Sequence, residues 1–240
     1  MIIQEGGNVV PDAKPVTRQN APVVARNLQK LMPPGIKVHP IGSAGQKEVS
    51  SDMDVLIDAG QLMKVFPAKE LKLSRKALED YFHEKGLFAA RTGVSVHVGV
   101  PTGEGNDVTQ VDIMAVENAE AVVPLHTHDY SGDPKMKGGT LHAMWADLAN
   151  LSSTPEHQSL MMSPYKGLVD RQTKELITSD KDAIAKIIIG PTATAKDMGS
   201  VQAILNALKK YPEKYRAIAE KYATPMSESQ VFRKLLDLFK

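Results

Sequence analysis

Two aspartates, Asp52 and Asp54, stand two positions apart in an apolar segment that ends at Asp58. The side chains of a β-strand alternate between its faces, so an extended segment here points both carboxylates to one side and Met53 to the other. Neighbouring carboxylates repel each other and stay ionised together only beside a cation. Their hard oxygens favour Mg²⁺ or Mn²⁺, and Mg²⁺ usually takes one or two carboxylates plus phosphate oxygens. The pair therefore predicts a divalent-metal site that also meets phosphate.

A Gly-Ser turn, Gly42 and Ser43, precedes this pair and is separated from it by the loop 44–51. Glycine lets a phosphate approach the backbone because it has no side chain. Serine offers a hydroxyl and a main-chain N–H to a phosphate oxygen. An apolar run over residues 36–41 predicts a strand that leads into the turn.

A third carboxylate, Asp112, lies in the segment 108–114. Valine occupies every second position from 94 to 100, and residues 101–107 then contain two glycines and an Asn-Asp pair. This pattern predicts a β-hairpin whose returning strand carries Asp112 beside the first two aspartates. An isolated Asp-x-Asp is common at helix caps and loop ends. The preceding turn, the flanking apolar runs and the third aspartate favour a two-metal site instead.

A glycine-serine turn followed by a short loop and an Asp-x-Asp strand resembles the signature of the DNA polymerase β-type nucleotidyltransferase superfamily. The resemblance implies that Gly42 and Ser43 bind the triphosphate of a nucleoside triphosphate such as ATP. It implies that Asp52, Asp54 and Asp112 are catalytic and bind two Mg²⁺ (or Mn²⁺) ions. The implied reaction, of the EC 2.7.7 type, moves a nucleoside monophosphate to an acceptor hydroxyl and releases pyrophosphate.

The first half of the chain further resembles the nucleotidyltransferases of tailed bacteriophages. The matching segments are residues 3–9 (IQEGGNV), 41–47 (IGSAGQK), 51–54 (SDMD) and 110–114 (QVDIM). The resemblance leaves the acceptor open. The possible acceptors are RNA such as a tRNA 3′ end, a protein, or a small molecule. The alternative to catalysis is a module that only binds nucleotide.

Composition restricts these alternatives only in part. The chain has 240 residues, 42% of them hydrophobic and 24% charged, as is ordinary for a globular protein of one large or two small domains. A net charge of +1 provides no global basic field, which weighs against an RNA acceptor. The absence of cysteine excludes disulfides and suits a reducing cytoplasm, that of the host if the chain is phage-encoded. No apolar run approaches the roughly 20 residues of a membrane helix, and the N-terminus does not read as a signal peptide.

The order of elements predicts an α/β (α+β) fold. Residues 1–151 are expected to form a small mixed β-sheet with flanking helices, preceded by an arm over residues 1–20. Ser-Ser-Thr-Pro at 152–155 marks the expected boundary. Residues 152–240 are expected to contain short strands that form a small sheet, a helix over 180–189, and a helical tail.

Lys137 stands at the glycine-rich start of a helix predicted over residues 140–151. A lysine there is well placed to contact a triphosphate, as the resemblance also implies, although a solvated loop lysine is the alternative.

His126 and His128 lie beside Asp129 in a segment without clear periodicity. Two histidines and one aspartate without a distant fourth ligand indicate zinc only weakly. We expect polar loop histidines, with a nucleobase contact as the other interpretation. Trp145 is expected to lie in the core.

Overall fold

The computed structural model describes residues 9–130 and 138–222. The chain divides into two compact units, residues 1–123 and 124–240. The division therefore lies ahead of the expected boundary at 151/152, because the helix before that boundary packs with elements that follow it. Lys137 and the C-terminal part of the predicted helical tail, residues 223–240, lie outside the described residues.

The first unit contains seven described strands and four described helices. Its elements in chain order are β1 (Val16–Thr17), α1 (Ala21–Leu31), β2 (His39–Ile41), β3 (Val49–Ser50), β4 (Met53–Asp58), α2 (Ala59–Val65), α3 (Leu71–Glu84), β5 (Ala89–Thr92), β6 (Ser95–Pro101), β7 (Val108–Val116) and α4 (Ala119–Val122).

Five of these strands form one mixed sheet in the order β2-β4-β7-β6-β5. Strands β4 and β7 are parallel, and the other neighbours are antiparallel. Strands β1 and β3 form a separate antiparallel pair. The mixed sheet with flanking helices confirms the predicted fold class.

The two faces of the sheet differ as the alternation predicts. Met53, Val55 and Ile57 of β4 join the alternating valines of β6 in the core that α1 and α3 cover. Asp54, on the same strand, belongs to the opposite face. Burial of one apolar face thus fixes which way the aspartates point.

Helix α2 was not among the predicted elements. It starts at Asp58, whose side chain accepts hydrogen bonds from the backbone N–H groups of Gly60 (2.8 Å) and Gln61 (3.1 Å). An aspartate at this position satisfies N–H groups that the first turn of a helix leaves unpaired. The cap, rather than the apolar pattern, was the signal in the sequence.

The described part of the N-terminal arm is packed rather than loose. Val10 and Val16 are buried. The backbone N–H of Lys14 donates to the carbonyl of Val108, and the Thr109 hydroxyl donates to the carbonyl of Lys14. Residues 9–17 therefore extend the sheet region instead of trailing from it.

The second unit contains a three-stranded antiparallel sheet and helices, as predicted. Its elements are α5 (Gly138–Asn150), β8 (Leu160–Ser163), β9 (Gly167–Asp170), β10 (Leu176–Thr178), α6 (Lys181–Ile188), α7 (Val201–Leu208) and α8 (Pro212–Tyr222). Residues 141–149 of α5 are all buried, and Trp145 lies in the core as predicted. Asp180 caps α6 by accepting a hydrogen bond from Ala183.

Within the described ranges, no helix combines the length and apolar character needed to cross a bilayer.

Candidate active site

A row of polar residues crosses the middle of the five-stranded sheet. Asp54 on β4 is directly opposite Asp112 on β7, and Asp112 is opposite His97 on β6. Residues opposite each other in a sheet project from the same face. The register therefore brings two of the three predicted carboxylates together, and Asp52 lies just ahead of β4.

The Gly-Ser turn lies against Asp54. Ile41, the last residue of β2, is opposite Asp54, so the turn begins beside that carboxylate. Gly42 has a φ of +75°, which favours glycine. A Cβ atom added at Gly42 would lie 2.9 Å from Oδ2 of Asp54. Both the backbone conformation and the space favour glycine at this position.

Hydrogen bonds hold the loop between the turn and β4. The hydroxyls of Ser43 and Ser50 are 2.9 Å apart. The Arg18 guanidinium donates to the carbonyl of Gln46 (2.7 Å) and pairs with the Glu48 carboxylate (2.8 Å). The N-terminal segment thus fixes the loop that carries Ser43.

The carboxylates disfavour one another's charge. Burial raises the pKa of Asp54 to about 8, and the charges of Asp52 and Asp112 add to this rise. Burial also raises the pKa of Asp52, again with a contribution from Asp112, while a hydrogen bond from Ser51 and the proximity of His97 act in the opposite direction. A nearby cation would relieve this repulsion and favour the ionised carboxylates.

Two side chains that the sequence analysis did not assign to the site hold Asp112. Nδ1 of His97 is 2.7 Å from Oδ1 of Asp112, and Nε2 of Gln110 donates to the same oxygen at 2.9 Å. Gln110 lies two residues before Asp112 on one strand, so alternation placed it on the same face. The position of His97 depends on the register of β6 with β7, which the sequence pattern does not define.

The donor chemistry of the three carboxylates fits a hard divalent cation such as Mg²⁺. Their mutual effect on the pKa of Asp54 shows that they share one electrostatic environment. In residues 9–130 and 138–222, no three His, Cys, Asp or Glu side chains already surround one metal position. In charge and ligand type the site suits the metal, and it presents an open set of oxygens rather than a closed cage.

The histidines at 126 and 128, which were expected to be polar loop residues, are both covered: His126 is half-buried and His128 is buried. His128 is buried, and its ring lies 5.3 Å from that of His142 and 5.5 Å from that of Trp145, measured between centroids. Nε2 of His126 is 2.7 Å from the carbonyl oxygen of Pro164. The rings are covered because the buried helix α5 presents His142 and Trp145 to this segment.

The surroundings of the three histidines favour the neutral form of their rings. Burial lowers the pKa of His128 to about 3 and holds that of His142 well below its ordinary value; the pKa of His126 is lowered for the same reason. Lys181, whose pKa burial lowers to about 8, donates to the carbonyls of Pro124 and Thr127. Among the described residues, Nδ1 of His128 and Nε1 of the indole have no hydrogen-bond partner.

No family model matches this chain, and no curated protein matches its sequence. Among solved structures, the chain is similar to a cytoplasmic RNA terminal U-transferase, with 16% identity and a TM-score of 0.27 over 60% of this chain and 42% of that one. This chain thus spans less than half of that protein. It is similar to the Cid1 poly(U) polymerase with 12% identity and a TM-score of 0.33, over 91% of this chain and 94% of that one. It is similar to the poly(A) polymerase complex GLD-2–GLD-3 with 14% identity and a TM-score of 0.31, over 92% and 67%. The case for an activity therefore rests on the residues of the site itself.

Proposed function

We propose that the chain is a metal-dependent nucleotidyltransferase, which transfers a nucleoside monophosphate from a nucleoside triphosphate to an acceptor hydroxyl and releases pyrophosphate. The observation that supports this most is the pair Asp54 and Asp112, which lie opposite each other on adjacent parallel strands. The Gly42 backbone lies against the Asp54 carboxylate. A phosphate-accessible turn and a group of carboxylates in one place are what a triphosphate with its metal ions requires.

Asp52, Asp54 and Asp112 are the residues that would hold Mg²⁺ or Mn²⁺. When bound, the ions would supply charge neutralisation at the phosphates and acidify the acceptor hydroxyl. The carboxylates themselves would orient that hydroxyl toward the α-phosphorus, since Asp54 lies against the turn and Asp112 lies opposite Asp54.

Gly42 and Ser43 are the proposed contacts to the triphosphate. Gly42 leaves its backbone accessible, and Ser43 presents a hydroxyl from a loop that Ser50 and Arg18 hold in place. Lys137 remains a proposed phosphate contact that lies outside the described residues.

The acceptor is RNA, a protein or a small molecule, and the proposed location of the reaction is the cytoplasm, that of the host if the chain is phage-encoded. The alternative to catalysis is a module that binds nucleotide without transferring it. The presence of three electrostatically coupled carboxylates favours catalysis, since binding alone does not need all of them.

The test is incubation of the full chain with each α-labelled nucleoside triphosphate, Mg²⁺ or Mn²⁺, and a bacterial cell extract. Label in RNA, protein or a small molecule identifies the acceptor class, and the preferred triphosphate identifies the donor. The double variant Asp52→Ala/Asp54→Ala is expected to transfer none. Asp107→Asn, which changes an exposed carboxylate in the β6–β7 turn, is the matched control and is expected to retain activity.

Binding of a triphosphate in calorimetry without any label transfer would support the binding module instead. If the chain neither binds a triphosphate nor transfers label, both the catalytic proposal and the binding-module alternative are overturned.

A further inference from the structure

The carboxylate of Asp112 has one engaged oxygen and one open oxygen. Oδ1 receives hydrogen bonds from both His97 (2.7 Å) and Gln110 (2.9 Å). No hydrogen bond to Oδ2 comes from any part of the chain that the structure describes. Two donors on a single oxygen fix the rotation of a carboxylate and leave the other oxygen to a ligand.

The tautomer of His97 follows from its two neighbours. The carboxylate of Asp112 only accepts hydrogen bonds, so Nδ1 carries the ring proton. Nε2 then accepts from the hydroxyl of Thr92, which lies 2.5 Å away. The Thr92 hydroxyl therefore stabilises the tautomer that donates to Asp112, and the ring itself is buried.

Gln110 is oriented in the same way. Its Oε1 accepts hydrogen bonds from the backbone N–H groups of Val9 (2.6 Å) and Val10 (3.1 Å). Because these donors occupy the carbonyl oxygen of the amide, its NH₂ group is the end that faces Asp112. The packed N-terminal segment thus determines which end of the Gln110 amide meets the carboxylate.

We propose that His97, with Gln110, is a positioning residue for nucleotidyl transfer: it holds Oδ1 of Asp112 so that Oδ2 is presented to a divalent cation. This inference rests on the proposed function. Loss of such a supporting hydrogen bond typically weakens metal affinity by about 10- to 100-fold.

The test measures Mn²⁺ affinity of the purified full chain by electron paramagnetic resonance, together with the Mg²⁺ concentration that half-activates transfer. His97→Leu is expected to weaken Mn²⁺ binding by about 10-fold or more. His97→Asn places an amide N–H near the position of Nδ1 and is expected to restore affinity to within about threefold. His97→Gln places its amide near Nε2, facing Thr92, and is expected to behave like His97→Leu.

A second variant leaves the buried His97 ring unchanged. Thr92 is exposed at the end of β5, so Thr92→Val is expected to fold normally. It removes the hydroxyl that donates to Nε2 of His97, and a drop in Mn²⁺ affinity of about threefold is expected.

The second unit offers a matched control. Nδ1 of His157 pairs with Oδ2 of Asp170 at 3.0 Å, the same kind of histidine–aspartate contact as that between His97 and Asp112. His157→Leu is expected to leave Mn²⁺ affinity unchanged. The inference would be overturned if His97→Leu bound Mn²⁺ as tightly as wild type, or if His97→Asn lost as much affinity as His97→Leu. It would also be overturned if wild type bound no Mn²⁺. Mn²⁺ binding that follows the expected series, without label transfer from any triphosphate, would overturn the proposed function and leave the positioning of Asp112 in place.

Discussion

Each unit gathers three titratable side chains of one kind. The two groups are Asp52, Asp54 and Asp112 in the first unit, and His126, His128 and His142 in the second. Burial raises the pKa of Asp52 and Asp54 and lowers the pKa of all three histidines.

The two groups differ in what surrounds them. Asp54 lies beside a glycine turn, and within residues 9–130 and 138–222 the hydrogen bonds to Asp112 reach only one of its oxygens. The histidine rings lie against one another and against Trp145, with carbonyl groups as partners. Ionised carboxylates with accessible lone pairs repel one another, and a bound cation can remove this repulsion. Rings whose faces are covered by aromatic neighbours contribute to packing instead, which favours a structural role for the histidine cluster.

The largest expected effect separates the two groups by activity. Asp54→Asn, which keeps the shape and removes the charge, is expected to lower nucleotidyl transfer by about 10²-fold or more, as loss of a transition-state stabiliser does. The rate of pyrophosphate release measures it. His128→Phe, the corresponding change in the second group, is expected to retain near-normal transfer at pH 7.5.

Activity of Asp54→Asn equal to wild type would contradict the assignment of the carboxylates. Comparable loss in both variants would show that the histidine group is not merely structural.

A second prediction concerns Gly42. Alanine at this position must adopt a left-handed φ, at a cost of about 1–2 kcal/mol in unfolding free energy, and its Cβ would displace the Asp54 carboxylate. We expect Gly42→Ala to lose that stability and at least about tenfold in transfer rate. Chemical denaturation and the transfer assay measure the two losses.

Gly86 is the matched control, because it has the same φ of +75° and no heavy atom lies within 4 Å of its added Cβ. Gly86→Ala is expected to lose similar stability and keep full activity. Equal activity loss in both variants would assign the effect to general destabilisation.

The histidine group makes stability sensitive to acid. The folded-state pKa of His128 is near 3, below the ordinary 6.5 of the unfolded chain. The unfolded state therefore binds more protons between these values, and the unfolding free energy falls as the pH is lowered from 6.5. Because such a histidine stays neutral in the folded state, the unfolding free energy falls by about 2 kcal/mol between pH 6.5 and pH 5.

His128→Phe is expected to reduce this acid loss, as measured by denaturant unfolding at pH 7.5 and pH 5. His83→Gln, which changes an exposed histidine of α3, is expected to leave it unchanged. The same pH sensitivity in His128→Phe and wild type would show that this histidine is not held neutral.

The smallest effect concerns the turn. Ser43→Ala removes one hydroxyl contact to phosphate and is expected to lower kcat/KM for the triphosphate by about tenfold, the equivalent of one hydrogen bond of about 1.4 kcal/mol. Steady-state kinetics measure it. Ser50→Ala removes only the partner that braces Ser43, and is expected to have a smaller effect; equal losses would indicate that bracing of the loop is the main contribution.

Much of the first unit could be predicted from the sequence because its signals are local. The alternation around Asp54 determined its face, and the hairpin pattern before Asp112 placed that residue on a returning strand. Gly42 was predictable as a glycine-requiring turn. The small sheet of the second unit followed from short apolar runs between turn residues.

Other features were not predictable because they depend on contacts between distant segments. His97 meets Asp112 only through the register of β6 with β7. His142 meets His126 and His128 only because α5 is buried in the second unit. The packing of Val10 against the sheet region similarly has no signal in a segment rich in glycine and proline.

The sequence by itself determined the residue types of the candidate site, the alternation that sets the face of Asp54, and the mixed α/β class. Local hydrophobic periodicity and turn chemistry suffice for these, since each depends on neighbours along the chain. The tertiary structure alone decided that Asp112 is held through one oxygen by His97 and Gln110, and that the histidines of the second unit are buried. Strand register and helix packing bring together residues far apart in sequence, and no local pattern encodes those distances.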